Sequence, residues 1–195
     1  MRDISLHILD LIENSIKAKA STILVSISED VSSDTVEICV EDNGCGLKVS
    51  PEKAVEPFYT TKPGKKTGLG LSLLRAAAER ADGFMVIGKS ELGGLSVKVT
   101  MKISHLDRTP FGNLPATISS IVCTNPDIDL NCRLSSRNGG AVLKISEVTN
   151  EFAANQSCGL IAARVMADKI RKELENMRCY KDSATIDQGG PDGGK

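Results

Sequence analysis

Tryptophan is absent, and aromatic residues make up only 3% of the 195-residue chain. With 41% hydrophobic residues, a packed core is still within reach, but it must be mostly aliphatic. An excess of charge of one sign is also missing. The formal net charge is −1, which argues against a general nucleic-acid or membrane-surface binder. No apolar run approaches the length that spans a bilayer, and the start Met1-Arg2-Asp3 has no signal-peptide stretch. The cysteines Cys39, Cys45, Cys123, Cys132, Cys158 and Cys179 are scattered, and none forms a C-x-x-C pair. Zinc and iron–sulfur readings are therefore weak, and reduced thiols in a cytoplasmic protein are the simplest expectation.

The length allows one ordinary domain and a smaller appendage. Residues 3–18 read as a helix, and 22–29 and 35–41 alternate apolar and polar as half-buried strands do. Residues 43–68 are rich in Gly, Pro, Lys and Thr without a period, which marks a long loop, and such loops in compact domains are usually functional or disordered. Helical character returns over 69–82, with Gly83 as the expected C-cap. Strands follow near 84–90 and 95–103. Helix, strand, strand, loop, helix, strand, strand implies an α/β (α+β) fold, an antiparallel-rich sheet with helices on one face. A small C-terminal unit is expected over 104–181. It would hold a helix from Leu114-Pro115 to about Cys123, strands near 128–134 and 140–146, and a helix over 157–177. Residues 182–195 read as a disordered polar tail.

Three segments carry chemistry. At 100° per residue, Asp3, His7, Asp10, Asn14 and Lys17 of the first helix fall in a wedge about 80° wide. A solvated face would explain such a stripe. Yet an Asn oxygen can ligate Mg²⁺, and a Lys three residues on can reach phosphate oxygens. Next, Asp42-Asn43-Gly44-Cys45-Gly46 follows a strand. Asn-Gly is a strong hairpin signal, but the residues after it do not read as a returning strand. The alternative is a pocket floor. There the Asp42 carboxylate accepts from an adenine amino group, and Gly44 and Gly46 let the backbone pass close to the base. Third, Gly68-Leu69-Gly70 opens a helix, a ready phosphate site, with Lys62, Lys65 and Lys66 in the loop before it. Gly83 to Ser90 matches the pattern G-x-x-x-x-G-K-S, but the interval is an apolar β-type run, so a P-loop is rejected.

Taken together, DLIENSIKAKA resembles the N box of the histidine kinase/gyrase/chaperone ATPase superfamily. EDNGCGL is similar to its first glycine box. EPFYTTKPGKKTGLGLSLLRAAAERADG is similar to the lid, F box and second glycine box of sensor histidine kinases. The resemblance covers about residues 1–103. It implies a two-layer sandwich of a mixed, mostly antiparallel sheet, with Mg-ATP held under a lid at 47–67. Carried over by position, Asn14 would bind Mg²⁺ and Asp42 the adenine. Lys17, Lys62, Thr67, Gly68, Leu69 and Gly70 would hold phosphates, and Phe58 would anchor the lid. Gly93-Gly94-Leu95-Ser96 stands as the third glycine box. Leu95 departs from the usual small hydroxylated residue, so Ser96 is the candidate there. MRDISLHILDLIENSIKA and the segment around 104–130 resemble small stand-alone bacterial ATP-binding proteins.

Sensor kinases carry a phospho-acceptor His on a helix hairpin before this domain, whereas this chain opens at the N box. Phosphoryl transfer to a separate protein is therefore expected rather than self-phosphorylation. Related ATPases and serine kinases place a general-base Glu four residues before the Mg-binding Asn; here that position is Asp10, one methylene shorter. A misplacement of roughly 1 Å can cost about 10²-fold in rate. Two classes stand open: a kinase acting in trans, and a regulator gated by ATP and ADP or a slow ATPase. The protein partner and oligomeric state are not legible.

Overall fold

The structure is a computed structural model and describes residues 3–56, 69–137, 139–151, 158–177 and 179. The first helix, α1 (Ile4–Lys17), starts where the Asp3 carboxylate accepts from the Leu6 N–H at 3.0 Å. Its Ile4, Ile8, Leu11 and Ile12 are buried, as helical spacing of apolar residues requires. Strands β1 (Thr22–Asp30) and β2 (Thr35–Asp42) form an antiparallel pair. Their turn is closed by Asp34 at φ 53, and by Ser32 and Ser33 donating to the Asp30 carboxylate.

A short helix, α2 (Pro51–Val55), lies inside the loop expected to have no elements, with the Ser50 side chain at its N-cap. The helix α3 (Gly70–Arg80) then leads to β3 (Phe84–Lys89) and β4 (Leu95–Lys102). The expected Gly83 cap is displaced by one residue. Asp82, at φ 52, takes the left-handed position, and the Gly83 N–H returns to the Ala78 carbonyl at 2.9 Å. Gly83 is needed for another reason: a Cβ there would lie 1.7 Å from the Thr100 carbonyl oxygen. Phe84–Lys89, within the segment Gly83 to Ser90, is strand, as the rejection of a P-loop requires.

The remaining elements are α4 (Leu114–Thr124), β5 (Asp129–Ser136), β6 (Gly139–Lys144), α5 (Ile145–Glu151) and α6 (Cys158–Leu174). The strand expected near 140–146 stops at Lys144, and α5 begins at once. β5 pairs with β1, so these strands continue the first sheet. The result is one open six-stranded sheet in the order β3-β4-β2-β1-β5-β6. Every pairing is antiparallel except β1–β5, which the α4 crossover makes parallel. The mixed, mostly antiparallel sheet with helices agrees with the expected fold class.

Period-two alternation sorts the faces. Ile23, Val25, Ile27, Val36, Ile38, Val40, Val97, Val99, Leu130 and Leu134 point into one cluster with Ile8 and Ile12 of α1, Ile118 of α4 and Met166 and Ile170 of α6. The other face carries Glu37 and Lys98, 3.0 Å apart, and Arg133. The linker after β4 is packed and capped. Arg108 Nε donates to the Ile103 carbonyl at 2.8 Å, and its guanidinium sits 6.0 Å from the Phe111 ring centre. The same linker ties down α1: the Ile4 and Ser5 N–H groups donate to the Pro110 and Phe111 carbonyls at 2.8 and 2.9 Å. Gly112, at φ +67, lets that contact close, since a Cβ would meet Asp3 Cγ at 2.3 Å.

Candidate functional site

One end of the site is organised by Asp42, the last residue of β2 and only 3% exposed. Its Oδ1 accepts the Gly44 N–H at 2.9 Å and the Leu95 N–H at 3.1 Å. Its Oδ2 accepts the Ser15 hydroxyl at 2.7 Å. Its carbonyl accepts the Gly94 N–H at 2.9 Å. One carboxylate thus joins α1, the loop after β2 and the start of β4. Gly94 permits it, because a Cβ there would fall 2.2 Å from Oδ1 and 2.6 Å from the Gly44 nitrogen. Gly44 is equally confined, with Ala18 O at 2.8 Å from a built Cβ, and Gly46 sits at φ +67.

The hairpin alternative for Asn43-Gly44 does not hold. The Asn43 Oδ1 accepts the Ser21 and Thr22 N–H groups at 2.9 and 3.0 Å, and Cys45 N–H donates to Ala18 O at 3.1 Å. The loop is clamped to the connection between α1 and β1 rather than turned back into a strand.

At the other end, the stripe on α1 meets the start of α3. Asn14 Nδ2 donates to Asp10 Oδ2 at 3.4 Å. A Cβ at Gly70 would lie 1.9 Å from that same Oδ2, so the carboxylate rests against the first residue of α3. Leu69, the N-cap of α3, supplies no side-chain cap, and a helix start without a side-chain cap suits an anion. Lys17 pairs with Glu13 at 2.8 Å on the exposed side of α1.

The stripe is not simply a solvated face. Asp3 is a cap, and His7 is 4% exposed. Burial, above all, holds the His7 imidazole below its usual range. Its Nδ1 is buried without a hydrogen-bond partner among the described residues.

The structure therefore brings Asp10, Asn14 and Gly70 together, and Asp42, Gly44 and Gly94 together. It does not bring Ser96 to them. Ser96 alternates with inward Val97, so its hydroxyl lies on the helix-free face, 3.5 Å from Cys39 Sγ. The third glycine box contributes through Gly94 and the Leu95 N–H instead. Phe58, Lys62, Thr67 and Gly68 lie outside the described residues. Ser15 was not singled out by the sequence reading. The available signal was a serine on the buried aliphatic side of α1, between Leu11 and Ile12 on one side and Ala20 beyond.

No group of three or more His, Cys, Asp or Glu residues among the described residues could hold a metal by itself. The donor chemistry still fits Mg²⁺, which takes one or two protein oxygens beside phosphate oxygens and water. The Asn14 side chain, which donates to Asp10 through its nitrogen, carries a carboxamide oxygen of the kind that ligates Mg²⁺. No helix among the described residues is long and apolar enough to cross a membrane.

Residues 2–105 match the family model described as histidine kinase-, DNA gyrase B-, and HSP90-like ATPase. The sensor protein TdiS of Thauera aromatica is 31% identical over 101 residues, covering 48% of this chain and 18% of that protein. The sensor kinase CckA of Brucella abortus is 44% identical over 69 residues, covering 34% of this chain and 7% of that protein. The chain thus spans less than a fifth of the length of either. Among solved structures, the ATP binding domain of PrrB from Mycobacterium tuberculosis is 26% identical over 50% of this chain and 64% of that one, with a TM-score of 0.38.

Proposed function

The chain belongs to the histidine kinase-, DNA gyrase B-, and HSP90-like ATPase family, and from that premise we propose that it binds Mg-ATP and transfers the γ-phosphoryl group to a separate cytoplasmic protein. The observation that carries this reading is the meeting of Asp10, Asn14 and Gly70. A carboxylate, a carboxamide and a helix start converge there. The Asn14 oxygen would hold Mg²⁺, which supplies charge neutralisation to the phosphates when bound. The N–H groups at Leu69 and Gly70, with Lys17, would hold phosphate oxygens. Asp10 would accept the proton of an incoming hydroxyl or imidazole. Asp42, Gly44 and Gly46 would receive the adenine. Phe58, Lys62, Thr67 and Gly68 complete the proposal as lid and phosphate contacts. That two relatives bear the names sensor protein and sensor kinase supports phosphoryl transfer in signalling.

One observation favours a second reading, an ATP- or ADP-gated regulator or slow ATPase. The linker carbonyls of Pro110 and Phe111 hold the first turn of α1, a contact through which a shift of that helix would reach the linker toward the C-terminal strands and helices. Incubation with γ-labelled ATP and candidate partners separates the two. Acid-labile label on the partner indicates His transfer, and acid-stable label indicates Ser or Thr. Partner binding that follows the nucleotide without any label, or with only slow phosphate release, supports the regulator.

A further inference from the structure

We infer that Ser15 is a positioning residue that sets base selectivity, by holding Asp42 as an acceptor toward the amino group of adenine. This rests on the proposed role of Asp42. An ionised carboxylate offers about four lone-pair directions, two on each oxygen. The Gly44 and Leu95 N–H groups occupy Oδ1. The Ser15 hydroxyl occupies one direction of Oδ2. Among the described residues one direction is left, on Oδ2, and it can only accept. An exocyclic amino group satisfies it, whereas the carbonyl oxygen of a 6-oxo purine opposes it.

The hydroxyl is held for this task. Ser15 has a single hydrogen, with Asp42 Oδ2 at 2.7 Å and the Leu11 carbonyl at 3.2 Å as the acceptors in reach. Helix packing keeps Ser15 buried, so its orientation follows α1, the same helix that carries Asn14. Base recognition and the proposed metal ligand thereby share one rigid support. Reducing the hydroxymethyl of Ser15 to the methyl of alanine would open a polar gap of about the size of one water. That water carries two hydrogens, so it could satisfy Oδ2 and still donate to a 6-oxo group.

The test is calorimetric titration of the whole chain with adenosine diphosphate and inosine diphosphate, which differ at the 6-position of the base. Wild type is expected to prefer adenosine diphosphate. Ser15→Ala should weaken adenosine diphosphate binding by about tenfold and inosine diphosphate binding by less than about threefold, so the ratio between them falls. Ser15→Thr, which keeps the hydroxyl, should retain the ratio, and thermal unfolding of each variant checks that the fold persists. If Ser15→Ala keeps the wild-type ratio, the role of Ser15 is overturned while that of Asp42 stands. If wild type binds both nucleotides alike, the adenine role of Asp42 fails, and the present inference with it.

Discussion

The two ends of the candidate site are held in different ways. At the proposed base end, Asp42 is tied to Ser15 across 27 residues of sequence and to Leu95 across 53. At the proposed phosphate end, Asn14 and Asp10 are helical neighbours four apart, and so are Lys17 and Glu13. The first end is part of the core, because breaking it would separate a helix, a loop and two strands. At the second, the contacts Asn14–Asp10 and Lys17–Glu13 join side chains of one helix, and Gly70 closely approaches Asp10. Selectivity needs a fixed carboxylate, since a misdirected lone pair no longer discriminates. Chemistry needs side chains free to follow a nucleotide and an acceptor. The contrast fits the division of labour proposed for the two ends.

The strongest way to break the contrast is at Asp10. Asp10→Asn should reduce phosphoryl transfer or hydrolysis by about 10²–10⁴-fold, the usual contribution of a general base. Adenosine diphosphate affinity should change little, as calorimetry would show. Turnover that survives Asp10→Asn removes the general-base assignment. If reach limits the rate, Asp10→Glu should raise turnover, and the crowding at Gly70 sets the limit on that gain.

At the base end the expected losses are in binding and stability together. Gly94→Ala places a Cβ 2.2 Å from Asp42 Oδ1 and against the backbone of Gly44. Such overpacking costs about 1–3 kcal/mol of stability, read in a denaturant titration, and nucleotide binding should fall with it. Asp42→Asn should weaken adenine nucleotide binding by about 1–3 kcal/mol and spare the fold more, because Ser15 can turn its hydrogen to the Leu11 carbonyl. A Gly94→Ala protein with unchanged stability would show that the base end is as loose as the other.

A smaller effect belongs to His7, about one turn before Asp10 on α1. The folded-state pKa of His7 lies below its ordinary value of 6.5, chiefly through burial. In this window the unfolded chain binds more protons than the folded one. Stability is therefore full above pH 6.5 and is lost as pH falls from there toward the folded value. His7→Leu should remove that part of the acid sensitivity, measured as the difference in unfolding midpoint between pH 7.5 and pH 5.5. The smallest effect belongs to Lys17. Its exposed pair with Glu13 contributes about 0.3–0.5 kcal/mol, so Lys17→Ala should barely move the melting temperature. If Lys17 reaches phosphate, the same change should weaken adenosine triphosphate binding and leave adenosine monophosphate binding unchanged.

Much of the α1–β4 region was legible because its elements are specified locally. Alternation marked β1 and β2, helical spacing marked α1, and the order of Asn14, Asp42 and Gly70 pointed to the candidate site. Ser96 misled because the pattern of glycines gives the place of a turn and not the side of a strand. Its neighbour Val97 had to enter the core, and that fixed the hydroxyl on the opposite face. The left-handed residue after α3 was assigned to Gly83, the residue type that favours it, yet Asp82 occupies it. The close pass under Thr100 claimed the glycine instead.

By itself, the sequence determined the longer helices and strands, though not the short α2 and α5, and it determined which face of each is apolar and which residue types could meet a nucleotide, since these follow from periodicity and side-chain chemistry along a continuous stretch. Tertiary structure alone decided that β5 joins β1 in parallel, that Asn43 clamps a loop rather than turning a hairpin, and that Ser15 meets Asp42. Each of these is a pairing between residues distant along the chain. Many such pairings satisfy the same local pattern, and only the simultaneous packing of α1, β2 and β4 around one buried carboxylate selects among them.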